Sequence, residues 1–164
     1  MKKSFLSGLS FAFLAVIFAS TVQSVDGQSR SRPLLVEGVG TENIVVGKST
    51  IENVFIEYGS DYRLIEHGKY SLEYFYKQLG LAFYACRADP NKEVFVIVSR
   101  PKSGATTTKG IVVGRSTKAE VEDLYYDQNG IEFFYGANDV VNEIDIFEDG
   151  GIRQCDTVFG IIKD

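Results

Sequence analysis

Residues 44–54 read IVVGKSTIENV and residues 111–121 read IVVGRSTKAEV. Ile, Val, Val, Gly, Ser, Thr and Val recur in register, with Lys48 answered by Arg115. Self-similarity of this kind marks a repeated supersecondary unit, and the echo continues downstream. Gly80-Leu81-Ala82-Phe83 matches Gly130-Ile131-Glu132-Phe133, and Glu93-Val94-Phe95-Val96 matches Glu143-Ile144-Asp145-Ile146. The offset shrinks between the blocks, so the first unit holds extra residues between Gly59 and Leu79. The chain reads as a divergent duplication. An N-terminal arm (28–42) precedes unit one (43–101), a Ser/Gly/Thr-rich linker (102–109) follows, and unit two (110–164) closes the chain.

Each unit follows one physical logic. A short apolar stretch ends at Gly47 or Gly114, and a Ser-Thr pair then starts a helix. Ser49 with Glu52, and Thr117 with Glu120, have the spacing of a capping box, in which a hydroxyl and a carboxylate satisfy the free N–H groups of the first turn. Val54 and Tyr58, like Val121 and Tyr125, lie four apart on one helical face, extended by Ile51 and Leu124. Gly59 is placed to cap the first helix. Alternating strands follow: Tyr62 and Leu64, then Leu72, Tyr74 and Tyr76, then Leu81–Cys86 and Glu93–Ser99 across an Asp89-Pro90-Asn91 turn. In unit two the strands are Ile131–Tyr135 and Val141–Phe147, joined through Gly136-Ala137-Asn138-Asp139. A last strand is expected at Thr157–Ile162 after the Asp149-Gly150-Gly151 turn. The expected class is α+β: two tandem helix-plus-antiparallel-strand repeats forming a helix-on-sheet layer.

Gly47, Ser49, Val54, Tyr58 and Gly59, with Gly114, Ser116, Val121, Leu124 and Tyr125, form a pattern that resembles a known superfamily. It is similar to the outer-membrane assembly lipoproteins of the BamE/SmpA type and, in tandem, to the secreted β-lactamase inhibitory proteins. The resemblance implies helices on one face of an antiparallel sheet, with the other face left for a protein partner. No Cys precedes Cys86, so the acylated cysteine of the lipoproteins is missing. None of the inhibitors' contact residues is matched, and inhibition of β-lactamase is not carried over.

The first 27 residues read as a secretory signal. Lys2 and Lys3 precede an uncharged apolar run from Phe5 to Ser20, and small residues follow, with the preferred cut before Gln28. An uncleaved anchor is the competing reading, but the run is shorter than the roughly 20 residues a spanning helix needs. Cleavage leaves 137 residues with net charge −6 and no basic run. Such a chain suits one domain with no membrane span, and is a poor partner for nucleic acid or an anionic membrane. Cys86 and Cys155 are the only cysteines. In an oxidising compartment they form one disulfide, and two buried thiols are the alternative.

No catalytic or cofactor signature survives inspection. Val46-Gly47-Lys48-Ser49-Thr50 ends like a phosphate-binding loop, but the first glycine of G-x-x-x-x-G-K-[ST] would fall at Glu42. His67 is the only histidine and sits in a polar hairpin tip, Glu66-His67-Gly68-Lys69. A nucleophilic pair of His67 with Cys86 would compete with the disulfide for the thiol. One histidine excludes the usual zinc sets, and Asp145, Glu148 and Asp149 match no EF-hand loop. No metal and no cofactor are expected. Acids are plentiful, so a small carboxylate-dependent extracellular hydrolase stands as the alternative function.

Strand parity supplies the candidate surface. Side chains two apart share a face. Leu81, Phe83, Val94, Val96, Ile131, Phe133, Ile144 and Ile146 are expected under the helices, and Tyr84, Phe95, Ile97, Phe134 and Phe147 on the opposite face. Aromatic residues on an open sheet favour a protein partner or self-association. Burial of that face by the linker, the arm or a second copy is the alternative.

Overall fold

Two threonines open the two helices. Thr50 and Thr117 are both extended, with φ/ψ of −97°/168° and −96°/163°, and each precedes the first helical residue. Helix α1 (Ile51–Tyr58) begins with the Thr50 N–H donating to Asn53 Oδ1 at 2.8 Å. Helix α2 (Lys118–Leu124) begins with the Thr117 N–H donating to Glu120 Oε2 at 2.6 Å. The capping box expected at Ser49 and Glu52 is therefore displaced by one residue. The Ser49 hydroxyl is already engaged: it accepts the Val45 N–H at 2.9 Å, as Ser116 accepts the Val112 N–H at 3.1 Å. Gly59 caps α1, as its position predicts.

The computed structural model describes residues 32–126, 129–149 and 155. The expected signal segment, the 150–151 part of the turn and the strand at 157–162 lie outside these residues. Strands β2 (Arg63–His67), β3 (Ser71–Tyr76), β4 (Leu81–Cys86) and β5 (Val94–Ser99) precede α2, and β7 (Ile131–Tyr135) and β8 (Val141–Phe147) follow it. They form one antiparallel sheet of order β2-β3-β4-β5-β8-β7. Two short strands, β1 (Leu34–Leu35) and β6 (Thr106–Thr107), pair in parallel. The residues read as a linker thus form β6 against a strand of the N-terminal arm. Thr108 and Tyr125 reinforce the tie by donating their hydroxyls to Glu37.

Each glycine turn is bonded into the sheet. Gly47 and Gly114 have φ of 71° and 80°, where any side chain is strained. Their N–H groups donate to Val94 O and Val141 O, each at 2.7 Å. Val94 and Val141 donate back to Ser49 O and Ser116 O, each at 2.8 Å. Val94 thus makes the bonds that Val141 makes. Glu93–Val96 therefore corresponds to Val140–Glu143, not to Glu143–Ile146 as the residue match implies.

The extra hairpin β2–β3 of the first half brings aromatic rings to α1. Phe55 stacks on Tyr62 at 4.8 Å, Tyr58 meets Phe83 at 5.2 Å, and the Tyr76 hydroxyl donates to Gly59 O at 2.7 Å. The main buried cluster joins Ile51, Val54 and Val121 of the helices to Leu81, Phe83, Val94, Ile97, Ile131, Phe133, Ile144 and Ile146 of the sheet. Val96 and Ile97 exchange the faces that parity assigns them. The register shifts at Tyr84/Ala85, so Phe95 is an extra residue opposite that step and reverses alternation beyond it. Leu124 is exposed, and Tyr125 takes the buried position at the end of α2.

Val54→Ala and Val121→Ala should each cost about 1–3 kcal/mol, because each removes methyl groups from this cluster. Leu124→Ala should stay within about 0.5 kcal/mol. Urea denaturation of the three variants measures both.

Candidate functional site

The second face of the sheet is set by cross-strand pairing. One row runs Glu73, Tyr84, Val96, Phe147, and the next runs Phe75, Ala82, Val98, Asp145, Glu132. Ala82, Cys86, Phe95, Val96, Val98 and Phe147 form a second buried cluster together with Cys155. Cys155 is bonded to Cys86, closing a loop of 69 residues. That closure contributes about 4 kcal/mol in the chain-entropy account.

The expected surface residues divide. Tyr84, Phe95, Phe134 and Phe147 lie on the second face; Ile97 does not. Its exposure is 0%, inside the cluster shared with the helices, because the bulge at Phe95 turns it inward. Phe95 at 7% and Phe147 at 9% are buried, Tyr84 is half-buried, and Phe134 at 41% is open. The open aromatic face expected from parity is thus largely covered.

A polar cluster lies beside the apolar patch. Glu73, on β3, is almost wholly buried, with His67 Nε2 at 2.7 Å and Arg100 Nη1 at 3.2 Å. Arg100 Nε also donates to Glu143 Oε2 at 2.9 Å, and its guanidinium lies 4.9 Å from the Phe75 ring centre. Burial opposes the charge on Glu73, yet hydrogen bonds from His67, Tyr84 and Arg100 hold its carboxyl below the usual range. Burial also opposes the charge on Arg100, and its bonds to Glu143 and Glu73 raise its pKa. The Tyr84 phenol is raised by burial and by its bond to Glu73. Asp145 has the opposite fate. Burial, with Glu143 and Glu132 beside it, pushes its carboxyl up to about 7. Its Oδ1 is buried without a hydrogen-bond partner among the described residues.

Two of the chemistries weighed from the sequence meet these contacts directly. His67 pairs with Glu73, and the thiol it would have needed is oxidised, so the His67–Cys86 pair is not formed. The loop at Gly47 has spent its donors: the Gly47 N–H bonds Val94 O, and the Lys48 and Ser49 N–H groups bond Val45 O. It has none of those three to offer a phosphate. Among the described residues no group of three or more His, Cys, Asp or Glu converges as a metal site. No described helix is long and apolar enough to cross a membrane.

Sequence reading missed the Glu73–Arg100–Glu143 cluster because its members are 27 and 43 residues from Arg100. One signal was present: Glu73 interrupts the apolar strand Leu72–Tyr76 with a charge. No protein-family model, curated protein or solved structure matches the chain.

Asp145 makes stability depend on pH. Its folded pKa of about 7 exceeds the ordinary 3.8, so the folded state binds more protons between those values. Stability is therefore lost as pH rises through that window. Asp145→Asn should remove a penalty of about 2–4 kcal/mol at pH 8. Thermal unfolding should show the variant melting above the parent at pH 8, with the difference closing by about pH 4.

Proposed function

We propose that the chain is an exported, non-enzymatic protein-interaction module, built from two tandem helix-plus-strand repeats, that meets its partner on the second sheet face. One observation carries this reading: on that face Phe134 stands 41% exposed opposite Glu143, at a strand position where a solvated face would be polar. Phe134 is the exposed aromatic at its border, and aromatic residues are favoured where protein surfaces meet. Glu73, Arg100 and Glu143 add a fixed charge pattern that would orient a partner. The disulfide is in keeping with an oxidising compartment. The matched turns at Gly47 and Gly114 support the duplication, as does the resemblance to the BamE/SmpA and β-lactamase inhibitory proteins.

The carboxylate hydrolase has one observation in its favour, the carboxyl of Asp145, which burial and the neighbouring Glu143 and Glu132 push up to about 7. Against it, two pockets are lined by Asp61, Tyr62, Arg63, Phe75, Lys77 and Gln78 and by Val112, Arg115, Ser116 and Glu120. Neither contains a pair of acids, and neither includes Asp145.

A photoreactive residue placed at Phe134 should crosslink a discrete partner in the native compartment, while one at the exposed Ile56 of α1 should not. Equal crosslinking at both positions, or at neither, rejects the binding face. Phe134→Ser should leave stability within about 1 kcal/mol. Phe95→Ser should cost about 2–4 kcal/mol, since it places a hydroxyl in a buried cluster. Chemical denaturation separates the two.

A further inference from the structure

We propose that a second copy of this chain pairs with β2, the open edge of the sheet, antiparallel about Leu64, so that two copies share one continuous sheet. The site lies at the opposite edge from β7 and Phe134, and it is independent of the binding role given to that residue.

Of the two edge strands, β2 is open and β7 is closed. Backbone groups of successive strand residues point to opposite sides. The Arg87 N–H donates to Tyr70 O, so Tyr70, Leu72, Tyr74 and Tyr76 turn their backbone to β4, while Ser71, Glu73 and Phe75 turn theirs to β2. His67, Ile65 and Arg63 face those three, which leaves the N–H and C=O groups of Leu64 and Glu66 directed outward. Among the described residues no hydrogen bond reaches these outward groups. Leu64 is 46% exposed, and Arg63, Glu66 and His67 are exposed around it. At the other edge the Phe147 N–H donates to Gly130 O, so Ile131 and Phe133 carry the outward groups of β7. Those residues are only 1% and 7% exposed. An open edge is a template for another strand, and β2 pairs through five residues with no proline and no register shift to prevent it. With β7 closed, addition stops at two copies.

Charge and register select a second copy as the occupant. The hairpin 61–70 holds two acids, Asp61 and Glu66, and two bases, Arg63 and Lys69, so it is neutral in a chain of net charge −5. Two copies therefore meet there without the repulsion that opposes contact elsewhere. In antiparallel pairing outward groups meet outward groups, so a symmetric pair centres either on an outward residue or on the residue between two of them. Centring on Arg63 or on Glu66 sets like charges face to face, which is destabilising. Centring on Ile65 sets Leu64 against the carboxylate of Glu66, which Arg87 already holds at 2.6 Å. Centring on Leu64 brings the two Leu64 side chains together, with Arg63 opposite Ile65, Tyr62 opposite Glu66 and Asp61 opposite His67. That register takes the most exposed apolar residue of the strand out of water and sets no like charges in direct opposition.

The test uses the secreted protein expressed from the full sequence. Sedimentation equilibrium should show a monomer–dimer equilibrium. As concentration rises, hydrogen exchange should slow at the Leu64 and Glu66 amides and stay unchanged at Ile65, whose N–H already faces β3. Leu64→Lys and Leu64→Glu, both at an exposed position, should each weaken the dimer about tenfold, because like charges then meet on the axis. An equimolar mixture of the two variants should restore association, since opposite charges meet there instead. Circular dichroism checks that the variants fold, and the exchange measurement on the parent needs no variant. A parent that stays monomeric at its highest soluble concentration overturns the proposal. So does a dimer indifferent to both variants, which assigns association to another surface. A dimer tightened by Leu64→Lys sets that position against Glu66 and overturns the centre at Leu64. Crosslinking at Phe134 reads the opposite edge of the sheet, so either reading can fail without the other.

Discussion

Antiparallel pairing of β5 with β8 is the contact on which the rest of the structure depends. Val96, Ile97, Val98 and Ser99 meet Phe147, Ile146, Asp145 and Ile144. That pairing turns a four-stranded meander and a separate hairpin into one six-stranded sheet. Its partners lie roughly fifty residues apart, yet loop closure grows only with the logarithm of length. Burial outweighs it. The pairing completes the row Phe83, Ile97, Ile146, Ile131 on the first face, where Val54 and Val121 also pack. On the second face it aligns Tyr84, Val96 and Phe147.

The two faces then diverge chemically. The first is mostly apolar and holds the main core. The second divides into an apolar patch around the disulfide and a charged region. At the first half's bulge the extra residue is Phe95, and at the second, between Phe134 and Tyr135, it is Asn142. Val96 and Val98 pair Tyr84 and Ala82 in the hairpin β4–β5, and Glu143 and Asp145 pair Phe134 and Glu132 in β7–β8. On β5 these positions join the apolar patch, and on β8 they carry charge. Asp145 lies between the patch and the charged region, which is why burial and neighbouring carboxylates raise its pKa together.

Glu73 is the hub of the charged region. A carboxylate so deeply buried is tolerable only with strong partners, and His67, Tyr84 and Arg100 provide them. The lone histidine therefore has a structural partner, and its imidazole orients on a buried acid rather than on a nucleophile.

Local chemistry made much of this legible from residues alone. The strands Leu81–Cys86, Ile131–Tyr135 and Val141–Phe147, the cap at Gly59 and the pairing of the only two cysteines each depend on neighbours in sequence or on a choice with one solution. The helices were legible too, with the Thr117–Glu120 cap of α2, but not the cap of α1, because Ser49 hydrogen-bonds backward and leaves the role to Thr50. Side-chain parity failed at one residue: Phe95 bulges, so Ile97 enters the core and Val96 leaves it. A bulge is a relation between two strands, and one strand's pattern does not reveal it. The Glu73–Arg100–Glu143 cluster and the covering of the second face were decided by tertiary structure alone. Their partners are far apart in the chain, and only folding brings them within hydrogen-bonding distance.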